Sequence, residues 1–265
     1  MTPAPTIDVR RSGERFHTRI GWLDSRHSFS FGRHYDPDNT HFGVLMVNND
    51  DVVKAGSGFD THPHRDMEII TWVLEGSLVH QDSTGHSGLI YPGLAQRMSA
   101  GTGILHSEKN DSWRLDTGLS AGAGRSGTAA AKHDRDVHFV QMWVVPDTGR
   151  VTPGYEQLDI GSTLDSGELV VVASGIPKHR ADRAISIRQE QAALYVARLK
   201  PGSATAVPTA PLVNLFVARG SVELEGAGLL GTGDTARLTV GDGQRVVAGA
   251  GGAEVLVWEM HATLG

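Results

Sequence analysis

The chain has 265 residues and a formal net charge of −6; 39% of it is hydrophobic and 20% charged, the balance of an ordinary globular protein with length enough for two domains. It has no cysteine, which excludes disulfides, thiolate ligands and a cysteine nucleophile, so any metal must be held by histidine and carboxylate. The acidic balance and the lack of a long basic run argue against direct binding to a nucleic-acid backbone.

In chain order, residues 1–16 (MTPAPTIDVRRSGERF) lack the apolar core of a signal peptide. No apolar run approaches membrane-spanning length, so the expected compartment is the cytoplasm. Arg10, Arg11 and Arg15 read as a small solvated basic cluster. A strand is predicted over residues 42–48, FGVLMVN. Pro63 sits between His62 and His64 and disfavours helix, so this stretch is extended and aims both imidazoles to one side. Strands follow over residues 67–75, 77–81 and 88–91, and a glycine turn opens another within 92–98. Gly101 and Gly103 mark a turn into a short strand that carries His106 and Glu108, again two apart. Residues 114–136 are rich in Gly, Ala and Ser with no apolar face, and are expected to form a mobile surface insertion. Further strands are predicted over residues 137–145, 168–173, 192–199, 212–218, 221–225, 235–240 and 253–260, with a short helix or turn over 180–191. Short β-branched runs punctuated by glycine, without a long helical period, favour an all-β barrel or sandwich.

A weak internal repeat accompanies this pattern. Residues 71–80, TWVLEGSLVH, resemble residues 215–224, LFVARGSVEL, each with a tight turn at its glycine, Gly76 or Gly220. PGLAQRM (92–98) and TGDTARL (232–238) extend the match. Sliding one unit onto the other puts Ala206 and Pro208 near His62 and His64, and puts residues 246–252, which hold no histidine, near His106 and Glu108. A division into domains 1–136 and 137–265 is therefore expected, with metal ligands only in the first.

If both His/Glu pairs lie on strands of one small barrel, His62, His64, His106 and Glu108 can converge inside it. Three imidazoles and one carboxylate suit Fe(II), Mn, Co, Ni, Cu or Zn. Taken alone, His62-Pro63-His64 reads equally as a polar loop. A metal held there could do chemistry at open positions, or could merely brace the barrel.

Residues 62–88 (HPHRDMEIITWVLEGSLVHQDSTGHSG) followed by 98–108 (MSAGTGILHSE) closely resemble the pirin family, a two-barrel branch of the cupin superfamily. Residues 21–52 and 141–157 (QMWVVPDTGRVTPGYEQ) resemble the same family, and the likeness thins towards the C-terminus. The resemblance implies two facing cupin β-barrels with few short helices. It implies one divalent transition metal, Fe(II) first among the candidates, with His62, His64, His106 and Glu108 as ligands. It implies a dioxygenase that opens the heterocycle of flavonols such as quercetin with dioxygen, Glu108 taking the substrate's hydroxyl proton. The other activity it implies is that of a metal- or redox-sensing regulator acting through a protein partner. The 114–136 insertion departs from the compact bacterial pattern.

Several neighbours invite a role. His80 and Asp82 could orient a ligand, although His80, beside apolar Val79, reads equally as an outward polar position. His86 reads as a turn residue, and His34 and His41 as exposed loop positions. Trp72 and Trp143 fit a buried core or a pocket wall, and Met67 and Ile69 a barrel lining.

Overall fold

Alternating β-branched runs cannot bury both faces without partners on either side, and the computed structural model shows how this chain supplies them. It describes residues 6–111 and 134–264. The expected 114–136 insertion lies outside the described residues except for its last three. Twelve strands precede residue 160: β1 (Thr6–Arg10), β2 (Phe16–Arg19), β3 (Leu23–His27), β4 (Leu45–Val53), β5 (Gly58–His64), β6 (Glu68–Glu75), β7 (Leu78–Asp82), β8 (Ser87–Ile90), β9 (Leu94–Ser99), β10 (Ile104–Asn110), β11 (Val137–Val144) and β12 (Gly154–Asp159). Eight follow: β13 (Val170–Ser174), β14 (Ile185–Ser186), β15 (Ala192–Leu199), β16 (Ala204–Ala206), β17 (Ala210–Leu224), β18 (Gly228–Gly231), β19 (Thr235–Gly241) and β20 (Arg245–Met260). The helical pieces among the described residues are single 3-10 turns, so the expected all-β class holds.

The first half pairs a seven-stranded sheet, β12-β9-β6-β11-β4-β3-β2, with a four-stranded sheet, β5-β10-β7-β8. The second half is a nine-stranded sheet, β1-β19-β17-β20-β15-β13-β14, with β16 on β20 and β18 on β17. Two predicted strands, 212–218 and 221–225, are one continuous strand, β17, whose pairing with β20 shifts register around Arg219 and Gly220. Gly76 and Gly220 both have φ 73°, and a Cβ on either would press into backbone, at Asp136 or Gly252. Only glycine fits both turns, which gives the sequence repeat its physical basis. The register agrees: His80 faces Glu108, and Leu224, the repeat counterpart of His80, faces Val246.

The expected division at 136/137 does not follow the sheets. β11 lies between β6 and β4, and β12 pairs with β9, so both complete the first half. β1 crosses the other way and pairs with β19. The reason is visible in β11 itself, VHFVQMWV, a strand buried on both faces that needs a hydrogen-bonding neighbour on each edge. Arg15 also departs from expectation. It is buried, with Nη1 3.4 Å from Asp50 Oδ2 and Nη2 donating to the carbonyls of Arg26 and Asn48. Predicted helix or turn over 180–191 resolves into turns and the two-residue strand β14.

The main core lies between the halves. Phe29, Leu45, Ile70, Trp72 and Met142 of the first meet Val172, Leu194, Phe216, Leu256 and Trp258 of the second. Trp72 donates its indole N–H to Glu254 Oε1 at 2.6 Å, which settles it as core. The second half has its own interior of Val213, Leu215, Val222, Leu224 and Val246, all apolar. Among the described residues no helix is long and apolar enough to cross a membrane.

Because one core joins the halves, they should unfold together. Trp258→Ala should cost about 3–5 kcal/mol of stability, with tryptophan fluorescence and far-UV circular dichroism showing one coincident urea transition; two separated transitions would contradict a shared core.

Candidate metal centre

β5 is an edge strand, where the missing N–H of Pro63 costs no ladder bond between two neighbours. It pairs antiparallel with β10, His62 opposite His106 and His64 opposite Ile104. This register brings three imidazoles together. Ring centres are 4.5 Å apart for His62 and His106, 4.8 Å for His62 and His64, and 4.9 Å for His64 and His106. One ring nitrogen of each can be chosen so that all three lie within 4.8 Å of one another. The Nε2 atoms of His64 and His106 are buried and have no hydrogen-bond partner among the described residues. Buried polar nitrogens left unpaired are costly, and two facing a third imidazole fit a cation that takes their lone pairs. His62 Nδ1–H donates to the carbonyl of Asp60 at 2.7 Å, which also leaves its Nε2 open.

Glu108, the fourth expected ligand, sits among polar partners. It is buried, yet it does not join the three-histidine group. The pairing of β5 with β10 shifts between His106 and Glu108, so Glu108 faces Phe59 where plain alternation would give Asp60. Gln141 Nε2 donates to the two oxygens of Glu108 at 2.9 and 2.7 Å, and Thr71 Oγ1 lies 3.5 Å away. Gln141 is itself oriented, because its Oε1 accepts the indole N–H of Trp143 at 2.9 Å. Trp143 stands edge-on to His64, ring centres 4.8 Å apart, and Phe31 stands edge-on to Trp143. Trp143 is thus a wall of the site, whereas Trp72 is not. Gln141 and Thr71 escaped sequence reading; the available signal was a polar residue inside each of two apolar strands, β11 and β6.

The electrostatics favour neutral rings. Burial, then the neighbouring His106 and His62, pushes His64 down to about 4. Burial, then His62 and His80, pushes His106 down to about 3. Asp51, wholly buried on β4 and hydrogen-bonded by Ser25, is pushed up to about 7 by burial and by the charges of Asp50 and Glu108. His80 is fully buried rather than outward-facing, and it touches both His106 and Asp82. His86 is an exposed turn residue stacked on Tyr155. His34 and His41 do not join the group; their partners are Thr18 and Thr40. Met67 and Ile69 pack with Met98 and Ile104 close to the site. A shallow groove of about 490 Å³, lined by Pro63, His64, Arg65, Ser83, Gly103, Ile104 and Leu105, meets the cluster at His64.

The sequence pattern of the Pirin family matches residues 8–144. A protein of Mycobacterium tuberculosis is 53% identical over 260 residues, covering 98% of this chain and 97% of its own; it bears quercetin 2,3-dioxygenase as a provisional name. The quercetin 2,3-dioxygenase of Escherichia coli K12 is 46% identical over 151 residues, 57% of either chain. Among solved structures, the bacterial pirin YhhW of Escherichia coli in complex with nickel(II) superposes with a TM-score of 0.78 at 32% identity, covering 98% of this chain and 100% of its own.

The shifts of His64 and His106 set a pH dependence. The unfolded chain protonates these rings below about 6.5, whereas the native rings stay neutral to about 4 and about 3, so they contribute stability that is lost as pH falls through that window. Asp51 opposes them: its native carboxyl keeps a proton to about 7, so its contribution is largest in acid and fades as pH rises to neutrality. The urea midpoint of the metal-free protein should therefore fall between pH 6.5 and 4, and should fall more steeply in Asp51→Asn. A midpoint that rises over this range would contradict the assignment.

Proposed function

The chain belongs to the pirin family, and on that premise we propose that it is a metal-dependent dioxygenase that opens the heterocycle of a flavonol such as quercetin with dioxygen, releasing carbon monoxide. His62, His64 and His106 are assigned as ligands of one divalent transition ion. The convergence of three imidazoles, two of whose buried Nε2 atoms have no hydrogen-bond partner among the described residues, is the observation that carries this reading. The name of the Escherichia coli relative and the nickel(II) complex of YhhW support it. Imidazole ligation is compatible with Fe(II), which the family resemblance puts first, and with Ni, Mn, Cu, Co or Zn. When bound, such an ion supplies Lewis acidity that favours the flavonolate anion, and a site for oxygen chemistry.

The protein's own groups divide the remaining work. The shallow groove meets the triad at His64, and the exposed side chain of Leu105 stands at its rim. Glu108, set apart from the triad, is assigned the proton of the substrate's 3-hydroxyl rather than a place as fourth ligand. Gln141 holds that carboxylate ready to accept, and Trp143 holds Gln141. Fixing base and substrate in one geometry before reaction removes an entropic part of the barrier.

An oxygen electrode with quercetin tests the proposal. Metal-loaded protein should consume dioxygen and release carbon monoxide in equal amounts, His64→Ala should be inactive, and Glu108→Gln should keep its metal while kcat falls by about 10²–10⁴-fold. Metal-loaded wild type that is inert to quercetin and to other flavonols would overturn the reading.

A further inference from the structure

Behind the triad lies a second layer of polar groups with a fixed direction of hydrogen bonding. The side chains of His80 and Asp82 are both fully shielded from solvent. His80 Nε2 lies 3.2 Å from Asp82 Oδ2, and His80 Nδ1 lies 3.4 Å from His106 Nδ1. The other oxygen of Asp82, Oδ1, accepts the backbone N–H of Thr84 at 2.9 Å, the hydroxyl of Thr84 at 2.7 Å and the backbone N–H of His86 at 3.2 Å. Tyr155 packs its ring 4.7 Å from that of His80 and covers the pair.

For neutral imidazoles, donor and acceptor rules then leave one arrangement. A carboxylate only accepts, so His80 carries its proton on Nε2 and donates to Asp82. Its Nδ1 is then a lone pair and accepts from His106 Nδ1–H. A neutral His106 with its proton on Nδ1 has a bare Nε2, and that is the buried, unpartnered nitrogen on the triad side. His62 reaches the same state through a single backbone carbonyl.

We propose that Asp82 and His80 are positioning residues that lock His106 in the tautomer whose Nε2 can bind a cation. The identification of that cation as a transition metal rests on the function proposed above; the control of the tautomer does not. Partners of this kind orient a ligand ring and are typically worth about 10–100-fold in metal affinity.

The variant Asp82→Asn tests the lock. Its carbonyl oxygen must stay at the Oδ1 position, where three donors meet it, so its NH₂ faces His80. His80 must then accept at Nε2 and carry its proton on Nδ1, which drives the proton of His106 to Nε2. Long-range ¹H–¹⁵N spectra of the metal-free protein read these tautomers directly. Wild type should show His106 protonated on Nδ1, and Asp82→Asn should show it protonated on Nε2, with nickel(II) affinity in a chelator competition lower by about 10–100-fold. His80→Asn, which keeps an acceptor near the Nδ1 position, should retain the wild-type tautomer of His106 and most of the affinity. His106 protonated on Nε2 in wild type, or unchanged in Asp82→Asn, would overturn the proposal whatever the affinity does. Wild type that binds no nickel(II) while the tautomers switch as stated would support the lock and sink the metal reading instead.

Discussion

Three imidazoles within one small volume form the constraint on which the rest of the first half depends. Charged rings at separations of 4.5–4.9 Å would repel, and burial already disfavours their charge. The fold therefore has to keep them neutral and aimed. The edge position of β5, its antiparallel register with β10 and the carbonyl of Asp60 do so for His62. The shielded pair of His80 and Asp82 stands behind His106. The carboxylate of Glu108 stands in the grip of Gln141.

The two halves use one strand plan for different ends. Where the first has His80 facing Glu108, the second has Leu224 facing Val246, both buried in an apolar cluster. Apolar side chains fill the second interior and add stability; polar ones in the first interior cost desolvation that only hydrogen bonds or a ligand can offset. Asn49, Asp51, Thr71, Gln96, Gln141 and Glu108 are all buried there. Such a concentration of buried polar groups, where the repeat places Leu224 and Val246 opposite the positions of His80 and Glu108, is the mark of a site rather than of a core.

Much of this was legible in the sequence, for identifiable reasons. Apolar runs such as those of β6, β11 and β15 show β character on their face, and residues two apart on extended chain, His62 with His64, must share a side. The two glycine turns of the repeat are sterically compulsory. Other parts were hidden. The strands β1, β2 and β3 read TIDVR, FHTR and LDSRH, with too few apolar residues to stand out; sheet hydrogen bonds hold them. β4 continues past the strand predicted over 42–48 because the first interior receives Asn49 and Asp51, while Asn48 and Asp50 on its other face find Ser28, Arg15 and His138. The first part of β20, RVVAGAGG, looks like loop until β16 and β17 pair with it. The hold of Gln141 on Glu108 joins β11 to β10, a contact that no local spacing in the sequence records.

The central claim is that the three histidines share one ion. Titration of metal-free protein with cobalt(II), followed by its visible absorption, tests this directly. The account predicts saturation at one ion per chain in wild type and no specific binding in His106→Ala. Saturable binding that survives in His106→Ala, or none in wild type, would contradict it.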